Sequence, residues 1–313
     1  MRRFGWLTAA LVLFSTTAAW AQDAVAVLTE IQTRRGQVHV RTAGDADWVA
    51  PKPLQALRAG DQVRVTGDGR AVLVFTGGRG TQLVTSGNSP FKVDVKADGA
   101  ATDRAKAVLG NVTNFLLGQQ REKTYQSLSV RSVRPQPPVI LAPRETLVVA
   151  GAPLTIEWMG SDRLRYTVRV IGPQGSAWQQ TDIERKPLAY TGPALVAGAK
   201  YTLELETKEH GVLRQQFEVL GVDDARRVRE GLAVLTPETA RGYPASTLAL
   251  MRAGLLFQEG LYADARRELV AGIAQYPDEA TLHLLLGHVY DRTGLKQLAG
   301  NEFDEAESLA SGR

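Results

Sequence analysis

The 313 residues contain no cysteine. Disulfides, thiol catalysis, cysteine-ligated metal and a lipid-modified cysteine are therefore excluded, and stability must come from packed cores alone. Histidine is also scarce: His39, His210, His283 and His288 are the whole set. The nearest two are five apart, which does not stack them on one helical face as an i, i+4 metal pair would be. Gly-x-Ser-x-Gly, His-Glu-x-x-His and a phosphate-binding loop are missing; Gly77-Gly78-Arg79-Gly80-Thr81 is glycine-rich but lacks the closing Lys-Ser/Thr. No catalytic residue, metal or cofactor is expected. The chain reads as a non-enzyme.

Long apolar runs are lacking too. The one near the start, Trp6 to Phe14, is about half of the roughly 20 residues a spanning helix needs. Preceded by Arg2 and Arg3 and followed by Ala19-Trp20-Ala21, it has the layout of a cleavable export signal over residues 1–21, cut after Ala21. Periplasmic localisation is the expectation, with no transmembrane segment after cleavage. The chain has 37 Lys and Arg against 33 Asp and Glu, and losing Arg2 and Arg3 leaves 35 against 33. Residues 22–97 carry +3, 98–134 carry +3 and 221–313 carry −4. A nucleic-acid footprint needs a dense basic stripe, so nucleic acid is not an expected partner.

What is present divides into β and α regions. Over residues 22–97, Val38 and Val40, Val63 and Val65, Ala71, Leu73 and Phe75, and Phe91, Val93 and Val95 alternate with their neighbours, the period of half-buried strands. Gly67-Asp68-Gly69 and Ser86-Gly87-Asn88-Ser89-Pro90 punctuate them as turns. Gly36-Gln37-Val38, Trp48, Leu57 before Gly60-Asp61, and Asp68-Gly69 leading into Ala71-Val72-Leu73-Val74-Phe75 resemble the FecR domain of bacterial envelope proteins. That resemblance implies a compact all-β domain in a periplasmic or peptidoglycan-associated protein. It does not carry over a ferric-citrate type of relay, which needs a membrane helix and a sigma-factor-binding tail.

Residues 98–138 are read as an amphipathic helix and a proline-rich linker. Ala105, Val108, Leu109, Val112, Leu116 and Leu117 recur at helical spacing with Phe115 on the apolar side, and Arg104, Lys106, Arg121 and Lys123 flank them. Arg134-Pro135-Gln136-Pro137-Pro138 ends the segment. Residues 139–222 return to strand patterns, as in Leu154-Thr155-Ile156-Glu157-Trp158 and Tyr201-Thr202-Leu203-Glu204-Leu205-Glu206. Their spacing suits an immunoglobulin- or fibronectin-like β-sandwich, which the segment resembles, with Trp158 and Tyr201 as core or corner residues rather than a sugar platform. Glu204 and Glu206 share a strand face; regular alternation explains them better than a glycosidase acid pair.

The final region, 223–313, has an internal period. Ala253 aligns with Gly287, Gly260 with Gly294, Ala265 with Ala299 and Leu269 with Phe303, each 34 residues on. These residues resemble tetratricopeptide repeats, implying helical hairpins. Two repeats fall short of the three or more that usually make a self-sufficient stack, so the pair must lean on the helix before it or on a partner. In such repeats the inner face of each first helix contacts ligands. By register that face holds Leu250, Phe257, Gln258, Leu284, His288, Asp291 and Arg292, with Arg292 and His288 suited to an acidic peptide.

The expected architecture is thus multidomain β plus α: a FecR-like domain, a β-sandwich and tetratricopeptide-like hairpins. The expected role is a non-catalytic envelope scaffold or adaptor that binds an envelope protein or peptide through its helical repeats. The alternative is a peptidoglycan- or glycan-binding protein acting through the FecR-like domain.

Overall fold

The computed structural model of the chain describes residues 24–33, 35–94, 103–119 and 137–312. The expected export signal, Val95, Arg121, Lys123 and residues 134–136 of the linker lie outside them. Fifteen strands and six α-helices make up the described part, so the chain combines antiparallel sheets with helices.

The first β unit holds seven strands. They are β1 (Ala26–Gln32), β2 (Gly36–Arg41), β3 (Ala56–Leu57), β4 (Gln62–Gly67), β5 (Arg70–Phe75), β6 (Thr81–Val84) and β7 (Phe91–Lys92). They form two sheets, ordered β3-β1-β5-β6 and β2-β4-β7. Val38, Val40, Val63 and Val65 meet Leu28, Ile31, Leu73 and Phe75 between the sheets, as the period-2 alternation requires. Asp61 is buried and fixes the turn before β4, accepting the N–H groups of Ala43 and Arg58 at 2.8 Å each.

Strand β1 departs from simple alternation. Its pairing with β5 shifts between Leu28 and Glu30, so Thr29 is an inserted residue. Because side chains alternate, one extra residue exchanges the faces beyond it. Leu28 and Ile31 therefore both point into the β core, while Val27 before the bulge joins a second core built mainly from helices. Both faces of β1 are covered.

Helix α1 (Asp103–Gln119) lies beside this unit. Two glycines admit it: a Cβ on Gly78, where φ is +68°, would stand 2.3 Å from the Lys106 carbonyl oxygen, and Gly110 approaches the Gly77 backbone. Gly78→Ala is accordingly expected to cost about 1–3 kcal/mol from the backbone conformation alone, and more from the clash. Its melting temperature should fall clearly below that of Gly77→Ala, whose Cβ meets only the Arg79 side chain despite a similar φ of +69°.

The second β unit also has two sheets. Strands β8 (Val139–Ala142), β10 (Thr155–Met159) and β13 (Leu188–Ala189) form one in the order β13-β10-β8. The other, β12-β11-β14-β15-β9, holds β9 (Thr146–Val148), β11 (Tyr166–Gly172), β12 (Gly175–Ile183), β14 (Lys200–Thr207) and β15 (Gly211–Val219). The β15–β9 pairing is parallel. Trp158, Tyr166, Val168, Leu203, Leu205 and Phe217 share the core between the sheets. Trp158 and Tyr201 are both buried, and the Tyr201 hydroxyl accepts the Val196 N–H at 3.0 Å.

Helices α2 (Val222–Ala233), α3 (Ala245–Gln258), α4 (Tyr262–Gln275), α5 (Ala280–Arg292) and α6 (Lys296–Ser311) follow. Hairpins α3–α4 and α5–α6 repeat one turn geometry: Gly260 and Gly294 take φ of +77° and +76°, and the next residues, Leu261 and Leu295, have nearly identical dihedrals. Left-handed φ is why glycine stands at both. Gly287 allows α5 to approach α6, since a Cβ there would lie 2.5 Å from the Phe303 ring.

Candidate functional site

Helices α3 and α5 are held at both ends. At their N-terminal ends they meet the first β unit through a buried polar cluster. The Glu30 carboxylate is fully buried; it accepts Ser246 Oγ and Thr247 Oγ1 from α3, the latter at 2.8 Å, and Arg70 Nη2 at 2.5 Å. Glu279, the N-cap of α5, accepts the Ile31 N–H at 3.1 Å, and Thr281 Oγ1 donates to the Thr29 carbonyl at 2.6 Å. The bulge at Thr29 explains why these groups face the helices rather than the β core.

At their C-terminal ends the same helices meet the second β unit. Leu147 N–H donates to the Gly260 carbonyl at 2.9 Å, and Arg144 Nε donates to the Thr293 carbonyl at 2.6 Å. A largely buried ion pair at 2.8 Å joins Glu157 of β10 to Arg266 of α4. The helices therefore act as struts between the β units, each about 20 Å long at 1.5 Å per residue.

Glu279 is the most perturbed acid in this frame. It is 1% exposed, and one of its oxygens, Oε2, lacks a hydrogen-bond partner among the described residues. Burial, reinforced by the Glu30 charge, pushes its carboxyl up to about 8; the Ile31 N–H, Arg70 and Thr281 oppose the rise without cancelling it. A cavity of about 350 Å³, lined by Gln32, Arg35, Asp68, Tyr276, Asp278 and Glu279 among others, opens beside it. Glu30 is fixed by three donors and fully enclosed, so the cluster ties β1 to the N-terminal ends of α3 and α5.

The seven residues assigned to the inner repeat face separate into two groups. Leu250 is wholly buried and Phe257 is 9% exposed. Phe257 meets Phe115 of α1 edge-on at 5.4 Å and Tyr262 at 5.4 Å, while Gly254 lies against Val112 and Leu116 of α1. Leu284 packs against the same core, and buried His288 meets the Phe303 ring at 5.1 Å. An open apolar groove at Leu250 and Phe257 is thus not what forms: α1 and β1 of the same chain cover that face. The physical reason is the shortage of repeats, since two hairpins leave an apolar flank that the nearest helix fills.

Gln258 and Arg292 stay exposed and Asp291 half-buried. The Arg292 guanidinium lies 5.9 Å from the Tyr262 ring centroid and donates to its hydroxyl at 3.0 Å. Asp291 pairs with Lys296. Tyr262 also borders a cleft of about 300 Å³ with Thr146, Lys200, Phe217 and Glu218.

Other candidates resolve into structure. Glu204 pairs with Arg214 at 2.7 Å and with Arg169 at 3.6 Å, and Glu206 with Arg169 at 2.7 Å. Arg104 of α1 is neutralised by Glu230. Ser89 and Lys92 carry a Ser-x-x-Lys spacing, but Ser89 Oγ accepts the Val65 N–H at 2.8 Å in a turn and Lys92 lies in β7, so no helix aligns them. Among the described residues no cluster of three or more His, Asp or Glu is placed to hold a metal, and no helix is long and apolar enough to cross a membrane. No family model matches the chain, and none of the curated proteins matches it.

The Glu30–Glu279 cluster is the feature that sequence reasoning missed. Its only signals were a glutamate within a mainly apolar strand and the run Ser246-Thr247 at a helix start, which reads locally as capping.

Proposed function

We propose that the chain is a non-catalytic scaffold or adaptor of the cell envelope, exported to the periplasm, that meets a protein partner through its tetratricopeptide-like helices. The observation that supports this reading best is the fixation of α3 and α5 at both ends by the two β units. Such a frame holds a surface in constant geometry and invests its polar groups in rigidity. The contact is assigned to the polar remainder of the repeat face, Gln258 and Arg292 beside Tyr262, where a partner carboxylate can meet a guanidinium already positioned on an aromatic ring.

Cutting the chain at Leu220 is not a fair test, because it would strip Val27, Val74, Leu109 and Leu116 of their cover. A surface variant is. Cross-linking of the intact chain in envelope extracts, followed by mass spectrometry, should recover a defined partner whose yield falls about tenfold or more with Arg292→Glu, as for loss of a charge-assisted contact. Arg267→Glu, on an exposed side chain of α4, serves as the control. Equal recovery from both variants and the unaltered chain would remove the assignment.

A further inference from the structure

The three-stranded sheet of the first β unit has one face in its core and one facing out. Val38, Val40, Val63 and Val65 point inward, so His39 and Arg41 of β2 and Gln62 and Arg64 of β4 share the outward face. The antiparallel register sets His39 opposite Arg64 and Arg41 opposite Gln62. A bridge between Val40 and Val49, with N–H···O distances of 2.8 and 2.9 Å in the two directions, lays the chain before β3 along the free side of β2. That register brings Trp48 level with Arg41.

The result is an indole with two guanidinium groups over it. The central guanidinium carbon of Arg41 lies 4.7 Å from the Trp48 ring centroid and that of Arg64 lies 4.4 Å from it. Arg41 also donates to Gln62 Oε1 at 2.9 Å. Neither arginine meets a carboxylate among the described residues, whereas Arg169, Arg214, Arg252 and Arg266 all do. Arg64 Nε and His39 Nδ1 are buried without a hydrogen-bond partner among the described residues. Asp45 and Asp47, exposed on the loop leading to Trp48, form no ion pair with either arginine. On β7, Lys92 stands opposite Gln62 and extends the positive face, and residues 22–97 as a whole carry +3.

A ring face holds a guanidinium in place without neutralising it, leaving its fork of N–H donors for a planar oxyanion. Two such cations repel each other, and an anion that meets both offsets that repulsion. We propose that this outward face of β2 and β4 binds the oxyanions of an acidic polysaccharide through Arg41 and Arg64. Arg41 and Lys92 sit two strands apart, about 10 Å, which suits charges repeated along a chain better than one small anion. The Gln62 amide and the indole N–H supply neutral donors matched to sugar hydroxyls. A single aromatic and three cations fall short of the stacking row and dense basic stripe that a nucleic acid needs.

Affinity electrophoresis of the full mature chain tests this, with polygalacturonate as the carboxylate probe, a phosphomannan as the phosphate probe and dextran as the neutral one. Retardation is expected from at least one acidic polymer, weakening as salt is added, and none from dextran. The arm that responds identifies the oxyanion. Arg41→Gln/Arg64→Gln should weaken retardation about tenfold or more, given two lost charge-assisted contacts. Lys92→Gln, which leaves the Trp48 cluster intact, should weaken it by a smaller factor and so reports even if the double variant does not fold. Retardation unchanged in both variants, retardation by dextran, response to neither acidic polymer, or stronger retardation by single-stranded nucleic acid would each overturn the inference. It does not rest on the scaffold reading: these variants leave Arg292 and its partner capture untouched, so each fails separately.

Discussion

Phe257→Ala should lower the stability of the chain by about 3–5 kcal/mol, the range for truncating a buried aromatic. The side chain stands where α1, α3 and α4 converge, between Phe115 and Tyr262. Removing it leaves a cavity in the core shared by all six helices and also deletes two edge-to-face ring contacts. Nearby backbone is fixed by the Gly260 contact with Leu147, so the site has little room to collapse. Thermal melting should therefore show a drop of many degrees, whereas Gln258→Ala, one residue on and exposed, should shift it by very little. Equal melting temperatures for the two variants would return Phe257 to the surface and reopen the groove.

The second large effect is a pH dependence set at the junction. Glu279 holds its proton up to about pH 8 in the folded chain against an ordinary value of 4.5. Between those values the folded state binds more protons than the unfolded one, so the residue's contribution must decline as pH rises from 4.5 to 8. Below the window both states are protonated and nothing is lost; above it both are ionised and the full cost is present. Each tenfold change in proton affinity is worth about 1.4 kcal/mol, so the decline amounts to a few kcal/mol. The groups that face Glu279 are Glu30 and Arg70 from the first β unit and Thr281 from its own helix, with Asp68, Arg35 and Asp278 around the adjoining cavity.

His283 works in the same sense: burial lowers its value, but the bond to Glu302, that carboxylate's charge, the Pro277 carbonyl and Glu305 together raise it. Stability from that pair is present below the ordinary histidine value and is lost as pH rises through the folded one. Comparison with Glu279→Gln separates the two. The glutamine keeps an acceptor for the Ile31 N–H and cannot ionise, so its stability should fall less steeply between pH 5 and 8 than that of the unaltered chain. Parallel pH profiles for the two proteins, measured by denaturant titration, would contradict this account of the junction.

Several elements were legible because their cause is local. The 34-residue period predicted two hairpins with glycine at matching turns, and Gly260 and Gly294 adopt the same left-handed geometry. Alternation placed Val38, Val40, Val63 and Val65 on one face, and Trp158 and Tyr201, read as core or corner residues, are buried. Helical spacing from Ala105 to Leu117 became α1. The shortage of repeats even implied that something must cover the hairpins.

What covers them was not legible. A period of 34 identifies the inner face of α3 and α5 but not whether solvent, a partner or the chain itself lies against it. Phe115 and Phe257 are 142 positions apart, and nothing local to either records their contact. The bulge at Thr29 was hidden for a related reason: Val27 and Leu28 side by side, followed by Thr29 and Glu30 side by side, give β1 no alternation from which to read a change of face. Gly78 and Gly110 allow close backbone approach across the α1 contact, which nothing local to either glycine records.

Hydrogen exchange of the intact chain across a denaturant series tests the central claim, that the helices and both β units form one frame whose repeat face is filled by the chain itself. Peptides from β1, α1, α3, α5 and β9 should lose protection in a single step with a common opening free energy, because each contributes to the shared core or to the contacts that close it. Early exchange of α1 while α3 and α5 remain protected would mean that α1 is a removable cover, and the filled, rigid frame described here would be wrong.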